Sequence, residues 1–171
     1  MRDTFFKLWI HGIFQTEPNK AYIHPELANV LYLEIEKKFI EQGCDLAAIG
    51  GQEDHVHFLF SQNPLLSLHE TMTFIQGITE RWYQLRDVES DYSKFKWAHG
   101  YCAYSVSESG LEKTQSFIDN QTFIHKKMSL LSEISLLNKL HNVDIQDEEM
   151  EHEMKVFEPR FSFKHIGDEW L

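Results

Sequence analysis

The sequence predicts an α+β domain, an antiparallel sheet with helices packed on it, followed by a C-terminal helical extension. Three observations predict it. Segments of alternating or β-branched and aromatic character interleave with segments of helical period, in the order β-α-β-β-α-β-α. Two of the strand segments are separated by only a few residues, which makes them antiparallel neighbours. No internal repeat or low-complexity linker interrupts residues 1–130, and the first composition break is the acidic run Asp144–Glu153. The expected organisation is a domain at 1–130 and an extension at 131–171 that carries this acidic run. At 171 residues the chain is long enough to bury a sizeable core.

Taken in order, Thr4 to Phe14 is rich in aromatic and β-branched residues and reads as a strand. Gln15 to Lys20, with Pro18 and Asn19, reads as a turn. Pro25 suits a first helical turn, Leu27, Leu31, Ile35 and Phe39 recur every four residues, and Gly43 comes next, so a helix is expected over Pro25–Gln42. Asp45–Gly50 reads as a short strand, Gly50-Gly51 as its turn, and His55–Ser61 as the returning strand. Ser67 is placed to cap a helix whose apolar stripe is Leu68, Met72, Ile75, Trp82 and Leu85, with Ile78 alongside. Residues 87–100 read as loop and Tyr101–Ser107 as a strand. Ser109-Gly110-Leu111-Glu112 has the form of a capping box, which opens a helix running to about Met128. A weaker helix is expected near 130–141, before the acidic run and a segment carrying Phe157, Phe161 and Phe163.

The formal charge is -11, of which about -6 lies in residues 142–171 (nine acids, three bases) and -5 in the first 141. Nucleic-acid binders usually carry a positive footprint, so the total weighs against that class. Screening over about 8 Å still permits a local basic patch. Cys44 and Cys102 are far apart and lack metal-type spacing, which points to a reduced, cytoplasmic protein with both thiols as small buried hydrophobes. No signal peptide or membrane span is expected.

Chemistry concentrates at Asp54-His55-Val56-His57. Residues two apart on a strand share a face, so His55 and His57 present two imidazoles together while Val56 faces the core. Two imidazoles are half a metal site. On the helix 109–128, Phe117, Gln121, Ile124 and Met128 form one row, and Gln121 is its only amide. A polar group aimed at a core needs a partner, which makes Gln121 a candidate third ligand, with His125 one turn on as a competitor. A water-activating hydrolase would also need a general base. Glu53 and Asp54 are the nearby carboxylates, and Asp54 is expected to point away from the imidazoles.

Five segments then carry a resemblance: Leu8–Phe14 (LWIHGIF), Glu53–His57 (EDHVH), Phe74–Gly77 leading to Trp82, Trp97–Val106 (WAHGYCAYSV), and Phe117–Gln121 through His125-Lys126-Lys127. In this order and spacing, over roughly residues 4–130, the chain resembles the single-tyrosine transposases of the HUH endonuclease superfamily, of the insertion-sequence and REP-associated kind. The resemblance implies a ferredoxin-like, HUH-type sheet and a homodimer that binds single-stranded or hairpin DNA in transposition. It also implies a Mg²⁺ or Mn²⁺ ion held by His55, His57 and Gln121, and a tyrosine nucleophile one turn before that glutamine.

Phe117 stands at the nucleophile's position, and a phenyl ring has no oxygen to attack phosphorus. The metal site can be kept while the covalent chemistry is lost. Three origins are open: an introduced Tyr→Phe change that traps intact DNA, a degenerate or domesticated copy, or transfer of the role to Ser116 or Tyr104. Arg81, Lys113, Lys126 and Lys127 are the candidate phosphate contacts. The turn Thr16–Lys20, often basic in the family, is not so here. That departure and the acidic total motivate an alternative, a dimeric interaction protein on the same fold that has lost DNA affinity.

Overall fold

In the computed structural model of the chain, which describes residues 6–17, 20–86 and 94–144, four strands form one antiparallel sheet. They are β1 (Trp9–Gln15), β2 (Asp45–Gln52), β3 (His55–Ser61) and β4 (Cys102–Val106), in the order β2-β3-β1-β4. Helices α1 (Pro25–Glu41) and α2 (Leu68–Gln84) complete a ferredoxin-like β-α-β-β-α-β unit. Helices α3 (Leu111–Asp119), α4 (Gln121–Ile124) and α5 (Leu130–Leu140) come after it. The first strand is shorter than the sequence suggests, since Phe6–Leu8 lie outside it and Thr4 lies outside the described residues. So do Pro18, Asn19, residues 87–93 and everything beyond Asp144, including the acidic run and Phe157, Phe161 and Phe163.

The sheet is covered on both faces. All seven residues of β3 are buried, although the strand alternates in kind. Val56, Phe58 and Phe60 join Phe14, Phe39, Met72 and Ile75 in the core beneath α1 and α2. On the other face Leu59 packs with Ala48, Phe117, Ile118 and Ile124 of the α3–α4 segment. Ile13 and Tyr104 pack there with Leu130, Ile134 and Leu137 of α5. The helix read from sequence as the start of an extension is therefore part of the layer that covers the sheet.

Helix ends obey local chemistry. After α1, Gly43 takes φ 68° and donates to Ile40, while Cys44 donates to the Phe39 carbonyl at 2.9 Å. These are the two bonds of a Schellman stop, which only a residue tolerant of positive φ completes cheaply. Ser67 and Glu70 form a reciprocal capping box at the start of α2. The face of α2 that is buried runs through Met72, Ile75, Thr79 and Tyr83, while Ile78 and Leu85 are exposed, which corrects the expected stripe. Thr79 is satisfied in the core by accepting a 3.1 Å bond from the Trp97 indole.

Two further expectations are corrected. Gly50 and Gly51 do not turn: they are strand residues paired with His57 and Val56, and Glu53-Asp54 makes the turn. Their lack of a side chain serves close approach instead. A Cβ on Gly50 would meet the Ile118 carbonyl of α3 at 2.6 Å, and one on Gly51 the His55 carbonyl at 2.1 Å. Gly51→Ala is therefore expected to destabilise the protein by about 1–3 kcal/mol through overpacking against backbone. Urea midpoints of the two proteins check this, and equal midpoints would refute the crowding.

The helix expected over 109–128 is also broken. Ser109 does not cap it: a 3-10 turn at Glu108–Gly110 precedes α3, and Gly110 occupies the N-cap position with no side-chain bond. At Asn120 the backbone leaves helical geometry (φ -100°, ψ 15°), and the side-chain amide donates to the Ser116 carbonyl at 2.7 Å. Asparagine competes in this way with the helical ladder. The break re-aims the next residue, Gln121.

Candidate metal centre

The antiparallel pairing of β3 with β1 sets His57 opposite Ile13 and His55 opposite Gln15, on the face covered by α3–α5. The two rings stand edge to face at 5.0 Å, and neither is accessible to solvent. Each ring is oriented from behind by a partner on its Nδ1. For His55 that partner is the Asp54 carboxylate at 2.6 Å. Asp54 thus turns toward an imidazole, against the sequence expectation, because the tight turn folds its side chain back onto the next residue. The same bond holds the Asp54 carboxyl below its ordinary range. For His57 the partner is His11 Nε2 on β1, at 2.9 Å.

Both Nε2 atoms then face inward, as metal-ligating imidazoles do when a second group fixes the opposite nitrogen. Gln121 Oε1 lies 3.1 Å from His55 Nε2 and 3.0 Å from His125 Nε2. The Gln121 amide donates to Glu133 Oε1 at 3.0 Å. Glu133 comes from α5 and is wholly buried, with Oε1 3.4 Å from His57 Nε2 and Oε2 2.8 Å from His125 Nε2. Ligand atoms of His55, His57, His125 and Glu133 all fall within 4.8 Å of one another. Phe117 packs its ring against His11 and His57, at centroid distances of 5.9 and 6.0 Å.

Burial governs the protonation of the two linked histidines. Loss of solvation pushes His11 down to about 3, with His141 adding to the effect. The same cause, reinforced by His11, His55 and His125, holds His57 well below its ordinary value. Both rings are therefore neutral near pH 7, the form that offers a lone pair. In the tautomer in which His57 Nδ1–H donates to His11, His57 Nε2 carries that lone pair.

The structure brings together His55, His57 and Gln121, and adds His125. Two members went unread in the sequence, His11 and Glu133. Glu133 did leave a signal: it stands three residues after Leu130 and four before Leu137, on the buried face of an otherwise apolar helix. His11 shares its face with Ile13 by the same period that pairs His55 with His57.

The remaining candidates are dispersed. Lys113 is exposed on α3, and Lys126 and Lys127 are exposed just after α4, with Lys127 Nζ 4.5 Å above the Phe123 ring. Arg81 is exposed on α2, across the sheet from the cluster. Neither hydroxyl near Phe117 is suited to replace a nucleophile. Ser116 is exposed on the outer side of α3. Tyr104 donates to Asn138 at 2.8 Å, and burial drives its phenol well above the ordinary range.

Known proteins share this fold and much of this sequence pattern. A family model described as transposase, IS200-like, matches residues 4–121. Among solved structures, the chain is similar to a protein assigned as a transposase from Deinococcus radiodurans R1, at 23% identity and a TM-score of 0.55, covering 71% of this chain and 95% of that one. It is also similar to a REP-associated tyrosine transposase bound to a REP hairpin, at 11% identity and a TM-score of 0.52, covering 73% of each chain. At these identities the likeness concerns the fold. No curated protein matches.

Proposed function

Because the chain belongs to the IS200-like transposase family, we propose that it binds single-stranded or hairpin DNA as a homodimer and does not cut it. The observation that carries the second half is Phe117: a phenyl ring lies against His11 and His57 where the resemblance puts the attacking phenol. Support for the first half is the family match, together with a structural neighbour that is bound to a REP hairpin. Lys113, Lys126 and Lys127 are the groups offered to phosphates, since they lie exposed on and just beyond the α3–α4 segment. Arg81, on the far side of the sheet, would need a second DNA segment or the other protomer's DNA. The free thiols of Cys44 and Cys102 suit a cytoplasmic setting. Among the described residues, no helix is long and apolar enough to cross a membrane.

The donor set discriminates between the two divalent ions that the resemblance implies. Mg²⁺ prefers six oxygens, several from water, and does not fit a buried set of imidazoles. Mn²⁺ obeys the same hard-ligand preference less strictly, so of the two ions it is the one these residues accommodate.

The test is binding of a labelled hairpin oligonucleotide, at about 50 and 200 mM salt, by fluorescence anisotropy. Retention at the lower salt and release at the higher is expected. Replacing Lys113, Lys126 and Lys127 by alanine is expected to reduce the log–log salt slope by about 2, at about 0.7 per phosphate contact on single strands. The net charge of -11 favours a second reading, a dimeric interaction protein without DNA affinity. Absence of retention at low salt would decide for that reading.

A further inference from the structure

We propose that His55, His57, His125 and Glu133 form a closed four-ligand site for a late first-row divalent ion, Zn²⁺ above all, which ties α5 to the sheet. Such a site goes beyond the DNA-binding reading and does not rest on it. The resemblance implies an open site, with two strand histidines, one helix glutamine and a place left for phosphate. The geometry departs from that pattern in two ways.

The first departure is the donor set. Three imidazole nitrogens and one carboxylate oxygen converge, with all four ligand atoms within 4.8 Å of one another. Four donors of this kind, three nitrogens and one oxygen, suit tetrahedral Zn²⁺. Affinity at nitrogen-rich sites rises from Mn²⁺ toward Cu²⁺ and Zn²⁺. Gln121 is placed to steer the fourth donor, since its amide donates to Glu133 Oε1 at 3.0 Å.

The second departure is closure. His55, His57 and Glu133 have no solvent exposure, and the His125 side chain, at 13%, is the one ligand at the rim. Glu133 arrives on α5, whose Leu130, Ile134 and Leu137 pack on the sheet beside it. The helix thus lies over the histidines and brings its carboxylate onto them. Structural zinc sites are closed in this manner, whereas catalytic sites keep a position free.

Unmet polar demand points to a cation. His57 Nε2 and Glu133 Oε2 are buried and make no hydrogen bond. The His125–Glu133 approach of 2.8 Å is an ion-pair distance without hydrogen-bond geometry. A wholly buried carboxylate is costly unless paired, and here the groups facing it are the imidazoles of His57 and His125. An ion among the four would satisfy every one of these atoms. Asp54 on His55 and His11 on His57 already hold two of the rings in the required orientation.

The experiment uses the full chain, stripped with a chelator and titrated with Co²⁺, Zn²⁺, Mn²⁺ or Mg²⁺ alone. One equivalent of Co²⁺ is expected to give the intense visible absorption of a four-coordinate centre, displaced by Zn²⁺ and not by Mg²⁺. Zn²⁺ is expected to bind at least about tenfold tighter than Mn²⁺. Glu133→Gln and His125→Gln should each weaken Zn²⁺ at least about tenfold, and Gln121→Ala should weaken it less. A weak six-coordinate cobalt spectrum, or no binding, overturns the proposal. So does the reverse ranking, with Gln121→Ala damaging and Glu133→Gln silent, which marks an open site of the kind the resemblance implies. If a variant does not fold, the cobalt spectrum of the unmutated chain decides alone. Hairpin binding measured in chelator reports on the DNA reading separately.

Discussion

Incubated with hairpin-bearing single-stranded DNA and Mn²⁺, the protein is expected to leave the DNA uncut and to form no covalent adduct. The chemistry needs an oxygen that attacks phosphorus, and Phe117 has none. Enzymatic acceleration of this class begins at about 10⁶-fold, and the whole of the covalent step is forfeited with the nucleophile. The nearby hydroxyls do not replace it, because Ser116 is exposed on the outer side of α3 and Tyr104 is engaged with Asn138. Denaturing gels of labelled DNA after long incubation read the result directly, and a labelled protein band would overturn it. Phe117→Tyr is expected to stay at background as well. It restores the oxygen, but the ring lies nearly buried against His11 and His57, and α5 still seats Glu133 on the histidines. An adduct formed by that variant would show that phosphate reaches the cluster, and the covered site would have to be abandoned.

Acid should unfold the metal-free protein well before its carboxylates titrate. An unfolded histidine takes a proton near 6.5, whereas buried His11 resists until about 3. Between those values the unfolded state holds more protons, so stability is full above about pH 6.5 and is lost as pH falls toward 3. The slope from His11 alone is about 1.4 kcal/mol per pH unit, or about 3 kcal/mol by pH 4.5. His57, also lowered by burial, steepens it. Asp54 acts in a lower window, because its carboxyl is held below its ordinary range and its contribution fades only under stronger acid. Urea midpoints in chelator at pH 7 and 4.5 measure the effect, and His11→Gln is expected to reduce the slope. Equal midpoints at the two pH values would show that neither ring is held neutral by burial.

How much of this was legible in the chain depends on the distance over which each feature is decided. Pro25, the Leu31–Ile35–Phe39 row and Gly43 specify α1 within one segment, and its observed end is a Schellman stop at that glycine. Ser67 and Glu70 specify the start of α2 in the same way. The glycines misled for a physical reason. A Gly-Gly pair reads as a turn when only neighbours are considered, yet here it makes room for a helix carbonyl and for the facing strand. The continuous helix over 109–128 failed likewise: its apolar row is real, but Asn120 competes locally for the Ser116 carbonyl and redirects the α4 turn.

By itself the chain predicts that two imidazoles share one strand face, because the period of a regular β-strand is two. It also settles that the ring at 117 carries no nucleophile, since that is a matter of covalent structure. Tertiary packing alone decides what those imidazoles meet. Glu133 lies 76 positions from His57 and His11 lies 46 away, and no local pattern encodes which helix will close over a sheet or which strand will lie alongside. That choice results from the apolar faces of β1, β4 and α5 coming together, and it carries a carboxylate into the histidines as a consequence.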